Sequence, residues 1–426
     1  MAKKKTFIKP YTQLDIPQLP QEIISEIIKW NAELGNNELY AYSLVSKAWL
    51  ASARRFLFRS AQFCGTDSFR TWERLFKSSP EISTFIRTVW VTPSSVYNWE
   101  DVGLRLLPGV TEIEWLSGIS QSATRATESI REFLRRFPNV KRVCVGAQFE
   151  DVQHLKAFLG YCGPGIKELL LEDELRFVHT TTPSPDAPLA IDISRFNLAD
   201  LEYLDIWSRG GSDFDWVYRE LIHGRAPNLR SLKVANQGVS LPVLCLLLKE
   251  VSPMLTHLNI GPGTLAWKSK GGYTNLRPLP SPDPFPLLPK LRVLTIDTIF
   301  LNHGPMEVLN WIASDFLAVF QAPLLTTFEI CFFARSPHET IDISECYYWK
   351  PLLTAITGKF AFLSELTICF WMEMEFGWKW RAKLEALVQR YVYSPSVLGT
   401  RTVRVKWEID DPDQAPYPED PTSEGE

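Results

Sequence analysis

Along most of the chain, apolar residues recur as a short triplet: an opening position, a second three residues later and a third five residues later. Clear examples are Val110-Ile113-Trp115, Val140-Val143-Val145, Ile166-Leu169-Leu171, Leu201-Leu204-Ile206 and Leu229-Leu232-Val234. The series continues as Leu255-Leu258-Ile260, Leu291-Leu294-Ile296, Leu325-Phe328-Ile330 and Leu363-Leu366-Ile368. Ile86-Val89-Val91 and Thr400-Val403-Val405 are weaker flanking members. Successive starts lie between 24 residues apart (Ile86 to Val110) and 38 (Leu325 to Leu363). The last two triplet positions are two residues apart, so they share one face of a strand. In seven of the nine clear units a proline stands two residues before the opening position: Pro108, Pro138, Pro164, Pro227, Pro253, Pro289 and Pro323. Proline there is expected to stop the preceding helix and set an extended entry into the strand.

Helical periodicity fills the gaps. Ile130, Phe133, Leu134 and Phe137 form one apolar face, and Val152, Leu155, Phe158 and Leu159 another. SLPVLCLLLKEV and MEVLNWIASDFLAVF continue the series. Strand followed by helix at this period predicts an α/β repeat: a solenoid with a parallel sheet, in which each unit buries its face against its neighbours. A single doubly wound α/β domain is the competing architecture, and the number of units counts against it.

If each strand alternates, the residues two and four after each opening position point away from the core. These include Glu112 and Glu114, Arg142 and Cys144, Glu168 and Leu170, Tyr203 and Asp205, Ser231 and Lys233, Thr327 and Glu329, and Glu365 and Thr367. Most are polar, as an exposed sheet face requires, and the full set holds six acids against two bases. A protein target with a basic or mixed surface is therefore expected there, with Glu112, Glu114, Glu168, Tyr203 and Asp205 as candidate contacts. A merely solvated sheet face is the alternative. Trp207, Trp371, Trp378 and Trp380 lie near strand ends as candidate anchors or packing residues.

The N-terminal stretch follows another rule. In LPQEIISEIIKW, Pro20 suits a first helical turn, and Ile23, Ile24, Ile27 and Ile28 recur on one side, with Trp30 falling back onto it. A polar stretch from Asn31 to Asn37 breaks the pattern before a second apolar run, within which Ser46 is a candidate N-cap. Beyond it Trp49, Leu50, Ala53, Phe56 and Leu57 line one face. Three short helices of this size make too small a core to be very stable alone.

The string Leu19-Pro20-x-Glu22-Ile23-x-x-x-Ile27, then Ser43-Leu44-Val45-Ser46-Lys47-x-Trp49 and Ala53-Arg54-x-x-Leu57-Phe58, resembles an F-box. It is similar in particular to the F-box proteins abundant in mushroom-forming fungi. The units behind it resemble the irregular leucine-rich repeats that commonly follow an F-box. The resemblance implies a three-helix F-box over residues 14–60 that binds a Skp-type adaptor and, through it, a cullin. It nominates Leu19, Pro20, Ile23, Ile24, Ile27, Leu44, Val45, Ser46 and Trp49 as adaptor contacts. Two departures stand out: the first inter-helix link is long, and Glu38 alone represents the acidic residue often found at its end. The repeat family's asparagine, eight residues after the first leucine, is also absent, so an uneven, less curved solenoid is expected over 61–409.

Composition narrows the function. Forty-five Lys+Arg against 49 Asp+Glu give a net charge of -4, which argues against nucleic-acid binding. No apolar run approaches a membrane span, and no apolar h-region follows the basic start. Seven scattered cysteines without CxxC spacing read as reduced, so a cytoplasmic or nuclear location is expected. Residues 1–13 are expected to be flexible, and 410–426, with seven acids and no base, disordered. The segments at 179–188 and 278–286 are expected to be surface loops.

Six histidines never pair at metal-ligand spacing, and no GxSxG, phosphate-loop or GxGxxG motif occurs. No catalytic residue, metal or cofactor is therefore expected. The expected role is a non-catalytic substrate receptor of a ubiquitin ligase acting on an unidentified protein. A non-ligase interaction scaffold is the alternative.

Overall fold

A computed structural model describes residues 19–32, 36–64, 66–92, 106–116, 124, 127–172, 174–178, 195–207, 217–235, 241–261, 267–269, 272–275, 285–300, 309–334, 349–372 and 401–409. Residues 1–13, the loop at 179–188, most of the loop at 278–286, Trp378, Trp380 and the tail 410–426 lie outside them. The chain divides into two compact units, Met1–Arg59 and Ser60–Glu426.

The first unit has three helices: α1 (Gln21–Ala32), α2 (Asn36–Ser43) and α3 (Lys47–Leu57). Its core is Ile24, Ile28, Leu39 and Ala53, against which Tyr42, Ala48, Trp49, Phe56 and Leu57 pack. A polar seam joins α1 to α3, where Gln21 Nε2 donates to Ser52 Oγ at 2.6 Å and Ser25 Oγ lies 3.1 Å from the same hydroxyl. Ser46 caps α3 as expected, its hydroxyl accepting from Trp49 N. The apolar side of α1 is wider than one buried stripe. Ile24 and Ile28 point inward, whereas Ile23 and Trp30, four and seven positions around from Ile27 and Ile23, stay exposed. Trp30 was expected on the packed side and is 75% exposed.

The second unit is α/β. Among the described residues its main sheet holds twelve strands: β1 (Ser60–Phe63), β2 (Thr88–Val91), β3 (Glu112–Leu116), β4 (Arg142–Gly146), β6 (Glu168–Leu171), β8 (Tyr203–Trp207), β9 (Ser231–Ala235), β10 (His257–Ile260), β13 (Val293–Phe300), β14 (Thr327–Ala334), β15 (Glu365–Met372) and β16 (Thr402–Ile409). Two small accessory sheets pair β5 (Gln148–Phe149) with β7 (Arg176–Phe177), and β11 (Trp267–Ser269) with β12 (Gly272–Asn275). Every pairing in the main sheet is parallel, and spatial order follows chain order from β1 to β16. The sheet therefore has no switch point of the doubly wound kind.

The triplet sets the register. Ile113 pairs with Val143, Val143 with Leu169, and Leu169 with Leu204, and the alignment runs on to Leu366 and Val403. These positions are buried on the inner face as far as Leu366, and Val403 of the last strand is half-buried. Trp115 of β3 packs there against Phe158 of α6 (Val152–Cys162) at 4.9 Å between ring centroids.

A second periodic device lies in the backbone. Nine carbonyls, from Arg87 and Thr111 to Arg292 and Thr326, each accept from two successive N–H groups at the start of the next strand. The residue just before the strand thus turns both amides toward its neighbour, and each unit repeats the geometry of the last.

Pro138, Pro164 and Pro253 stand just beyond the helices Glu128–Leu134, Val152–Cys162 and Leu241–Val251, as expected, and the other four sit in closed turns. Leu107, Ala226, Leu288 and Ala322 carbonyls accept from Val110, Leu229, Leu291 and Leu325 N respectively, closing four-residue turns around Pro108, Pro227, Pro289 and Pro323. Proline takes the second turn position, which its fixed φ favours and where its missing N–H costs nothing. Leu198–Leu201 and Phe360–Leu363 close the same turn without proline, so the turn is the recurring element. Asn139 and Asn228 tie turns together, each Nδ2 donating at 2.9 Å to the preceding unit (Pro108 and Ala199 carbonyls).

The helices expected at Ile130, Val152 and Leu241 are α5 (Glu128–Leu134), α6 and α7 (Leu241–Val251). The stretch read as helical from Met306 is described from residue 309 and is helical over 309–319, with a π-helical segment, Ile312–Phe316, running into Leu317–Val319. A second π-turn spans Val217–Ile222. β1, α4 (Thr66–Ser78) and α8 (Trp349–Lys359) were not anticipated. The division falls between Arg59 and Ser60, and Ser60 opens β1.

Candidate interaction surfaces

Two surfaces collect the side chains nominated above. The first is apolar and belongs to the helical unit. Leu19 and Ile23 at the start of α1 are 49% and 48% exposed, and Leu44 and Val45 in the turn between α2 and α3 are 86% and 61% exposed. Local structure explains the turn. Leu44 and Val45 N–H groups are taken by Ala41 and Tyr42 carbonyls, and Ser46 then opens α3, so both side chains project from a tight corner. The Gln21–Ser52 hydrogen bond fixes the start of α1 against the middle of α3.

The nominated residues therefore divide. Leu19, Pro20, Ile23, Leu44 and Val45 face outward. Ile24, nominated as a contact, is only 4% exposed and belongs to the unit's own core, because it shares the inward stripe of α1 with Ile28. Ile27 is partly buried, Ser46 serves as a cap, and Trp49 is partly buried with its ring 5.4 Å from that of Tyr42.

The second surface is the outer face of the sheet. Glu112, Arg142, Glu168 and Tyr203 are direct register neighbours, as are Glu114, Cys144, Leu170 and Asp205. The register read from the triplets is the observed one. The charge balance is not. Arg142 Nε lies 3.1 Å from Glu112 and 3.7 Å from Glu168. Lys233 pairs with Asp205 at 3.5 Å and stands 5.3 Å from the Trp207 ring centre. β16 adds two bases: Arg404 reaches Glu365 at 3.0 Å and Lys406 reaches Glu329 at 3.1 Å. Most of the six acids thus have partners within the sheet, and the expected acidic surplus is largely neutralised. The two bases of β16 escaped notice because Thr400-Val403-Val405 is the weakest triplet.

Burial modulates the rest. Asp205 is buried, which raises its carboxyl despite Lys233 beside it, and the Tyr203 hydroxyl donates to it at 3.1 Å. Burial and the adjacent Asp205 push the Tyr203 phenol well above its ordinary range. Cys144 is buried beside Glu172, and both effects hold its thiol protonated. Glu114 is raised by burial and then by the Glu112 charge, with the Trp90 side chain as its hydrogen-bond partner.

Among the described residues no group of three or more His, Cys, Asp or Glu side chains is placed to hold a metal ion. None of their helices is long and apolar enough to cross a membrane. No known family model matches the chain, and no curated protein matches it.

Proposed function

We propose that this chain is the substrate-recognition subunit of a Skp-cullin-F-box ubiquitin ligase. In this reading the helical unit is an F-box that binds the Skp-type adaptor, and the second unit is an irregular leucine-rich-repeat solenoid that holds a protein target. The observation that carries it is the placement of Leu19, Ile23, Leu44 and Val45: all four lie at positions that the F-box resemblance assigns to adaptor contact, and all four stay exposed. Four large apolar side chains on so small a unit lose stabilisation in water and regain it when a partner covers them. Ile24, Ile28, Leu39 and Ala53 supply the unit's own core, so covering the exposed set requires no refolding. The solenoid reading draws support from strand order that follows chain order and from the carbonyl pattern that recurs at nine steps. The chain would supply proximity, and its partners the chemistry.

The test is co-purification of a Skp-type adaptor with the full chain, comparing wild type with Leu44→Asp/Val45→Asp and with Leu19→Ala/Pro20→Ala. Adaptor recovery should fall at least about tenfold in the first variant, as expected when apolar anchors at an interface centre are replaced by charge. Unchanged recovery, or none with wild type, ends the F-box reading. Cullin in the wild-type complex separates a ligase from a scaffold.

A further inference from the structure

The target-binding part of that reading leaves open where on the outer sheet face a partner is held and by what chemistry. Most acids there are already paired. Glu112 and Glu168 share Arg142, Asp205 has Lys233, Glu329 has Lys406, and Glu365 has Arg404. Glu114 differs. It lies in direct register between Trp90 of β2 and Cys144 of β4. Among the described residues, the nearby charges acting on it are Glu112 and Glu172, of like sign, with the already shared Arg142 opposing them. The Trp90 side chain hydrogen-bonds to it and remains 43% exposed, whereas Val89, Val91, Ile113 and Trp115 of the same two strands are buried.

An exposed indole beside a half-buried carboxylate crowded by like charges is complementary to a cation. The ring face attracts it through its quadrupole, and the carboxylates gain the counter-charge that the sheet does not fully supply. The strand direction adds a steric argument. Successive strands bring register partners about 4.8 Å apart, so a segment crossing them meets the exposed Trp90 and then the half-buried Glu114. A neutral or acidic segment has no such match there.

We infer that the Trp90–Glu114 corner of the outer sheet face binds a lysine or arginine side chain on an extended basic segment of a partner protein. This rests on the solenoid face being the target surface, but not on the adaptor contact of the helical unit. The anchor moves from the centre of the face, where Tyr203 and Asp205 bond each other, to its N-terminal strands.

The test uses the purified full chain and a fluorescent peptide alternating lysine and glycine, against matched peptides carrying arginine or glutamate in place of lysine. The lysine or arginine peptide should bind with an affinity that falls as salt rises, and the glutamate peptide should not. Trp90→Ala and Glu114→Gln should each weaken binding by about threefold to tenfold, the scale of one cation–π or partly screened charge contact. Glu365→Gln, at the far end of the sheet, should leave it unchanged. Circular dichroism confirms that each variant is folded, and Trp90→Phe, which keeps a ring face, should recover part of the loss. Equal binding of the lysine and glutamate peptides, no binding of either cationic peptide, or full binding by folded Trp90→Ala and Glu114→Gln overturns the proposal. Adaptor co-purification is read separately, so failure here leaves the F-box reading standing, and failure there leaves this one.

Discussion

The ammonium of Lys359, at the end of α8, lies 2.9 Å from the carbonyl oxygen of Ala318 and also bonds that of Leu317. Leu317–Val319 is the last helical turn of the preceding unit, so its carbonyls have no partner within their own helix. A cation from the next unit closes it, which links the two units by charge as well as by packing. Arg401 repeats the device one unit later, bonding the Leu363 and Thr357 carbonyls at 3.2 and 3.1 Å. Burial lowers the pKa of Lys359 below its ordinary value, so the contact trades desolvation against two hydrogen bonds. Lys359→Met keeps the stem and removes the donor. The expected loss is about 0.5 to 1.5 kcal/mol, the net worth of hydrogen bonds at a partly exposed site, read as a lower urea midpoint. A midpoint equal to wild type refutes it.

Gly109 occupies the third position of the turn closed by Leu107 and Val110. A side chain there has no room: its Cβ would stand 2.8 Å from the Ile86 carbonyl oxygen and would collide with the Arg87 guanidinium. Arg87 Nη1 itself bonds the Thr84, Ile86 and Gly109 carbonyls, so the guanidinium cannot move away freely. Gly109→Ala should therefore destabilise by about 1 to 3 kcal/mol through overpacking. Gly165, at the equivalent turn position, has nothing within 4 Å of its would-be Cβ. Gly165→Ala should be close to neutral, and thermal melts of the two variants side by side test the contrast.

Much of this fold was legible because one rule repeats. The triplet sets both the buried face and the register, and Val143 opposite Ile113 follows from period two in a parallel ladder. β1 was missed because Ala61 takes a place that larger apolar residues fill elsewhere, although Ala61 pairs with Val89 as the rule requires. The π-turns at Val217 and Ile312 were illegible because their apolar spacing differs little from that of an α-helix, and the extra residue per turn is settled by packing. In the helical unit, periodicity marked the apolar side of α1 but not its division. Ile23 and Ile24 are one residue and about 100° apart on a helix, and only the position of α3 decides which is buried. On the sheet face the residues were legible and the pairing was not. Arg404 lies 39 residues beyond Glu365, a distance closed only by the sheet.

That division of α1 yields a sharp contrast. Ile28 is fully buried among Leu39, Ala53 and Ile24, so Ile28→Ala removes core volume and should cost the helical unit about 2 to 4 kcal/mol. Leu44 is 86% exposed, and Leu44→Ala should change stability by less than about 0.5 kcal/mol. Limited proteolysis between α1 and α3 reads both, with rapid cleavage expected for the first and a wild-type pattern for the second. A protected Ile28→Ala unit, or a labile Leu44→Ala one, contradicts the packing described.

A pH dependence follows from the start of α6. Asp151 caps the helix: its Oδ1 accepts from Gln153 N at 2.8 Å and His154 N at 3.0 Å, and the His154 ring nitrogen Nδ1 also lies 3.0 Å away. Partial burial opposes the ionised form, but these hydrogen bonds and the His154 ring outweigh it and hold the carboxyl below its ordinary 3.8. The unfolded chain therefore binds the proton more readily than the folded one. The stabilisation is complete above the ordinary value and disappears as pH falls through the lower folded value. Glu150 faces the other ring nitrogen of His154 at 3.3 Å, so the imidazole stays bracketed when Asp151 is changed. Asp151→Asn keeps a capping oxygen but cannot ionise, and it should flatten the acid limb of the stability curve below about pH 4 while costing little of the cap itself. Urea midpoints for wild type and variant between pH 7 and pH 3 test this. The two curves should converge at the acid end, and a constant offset across the range would show that the cap does not titrate.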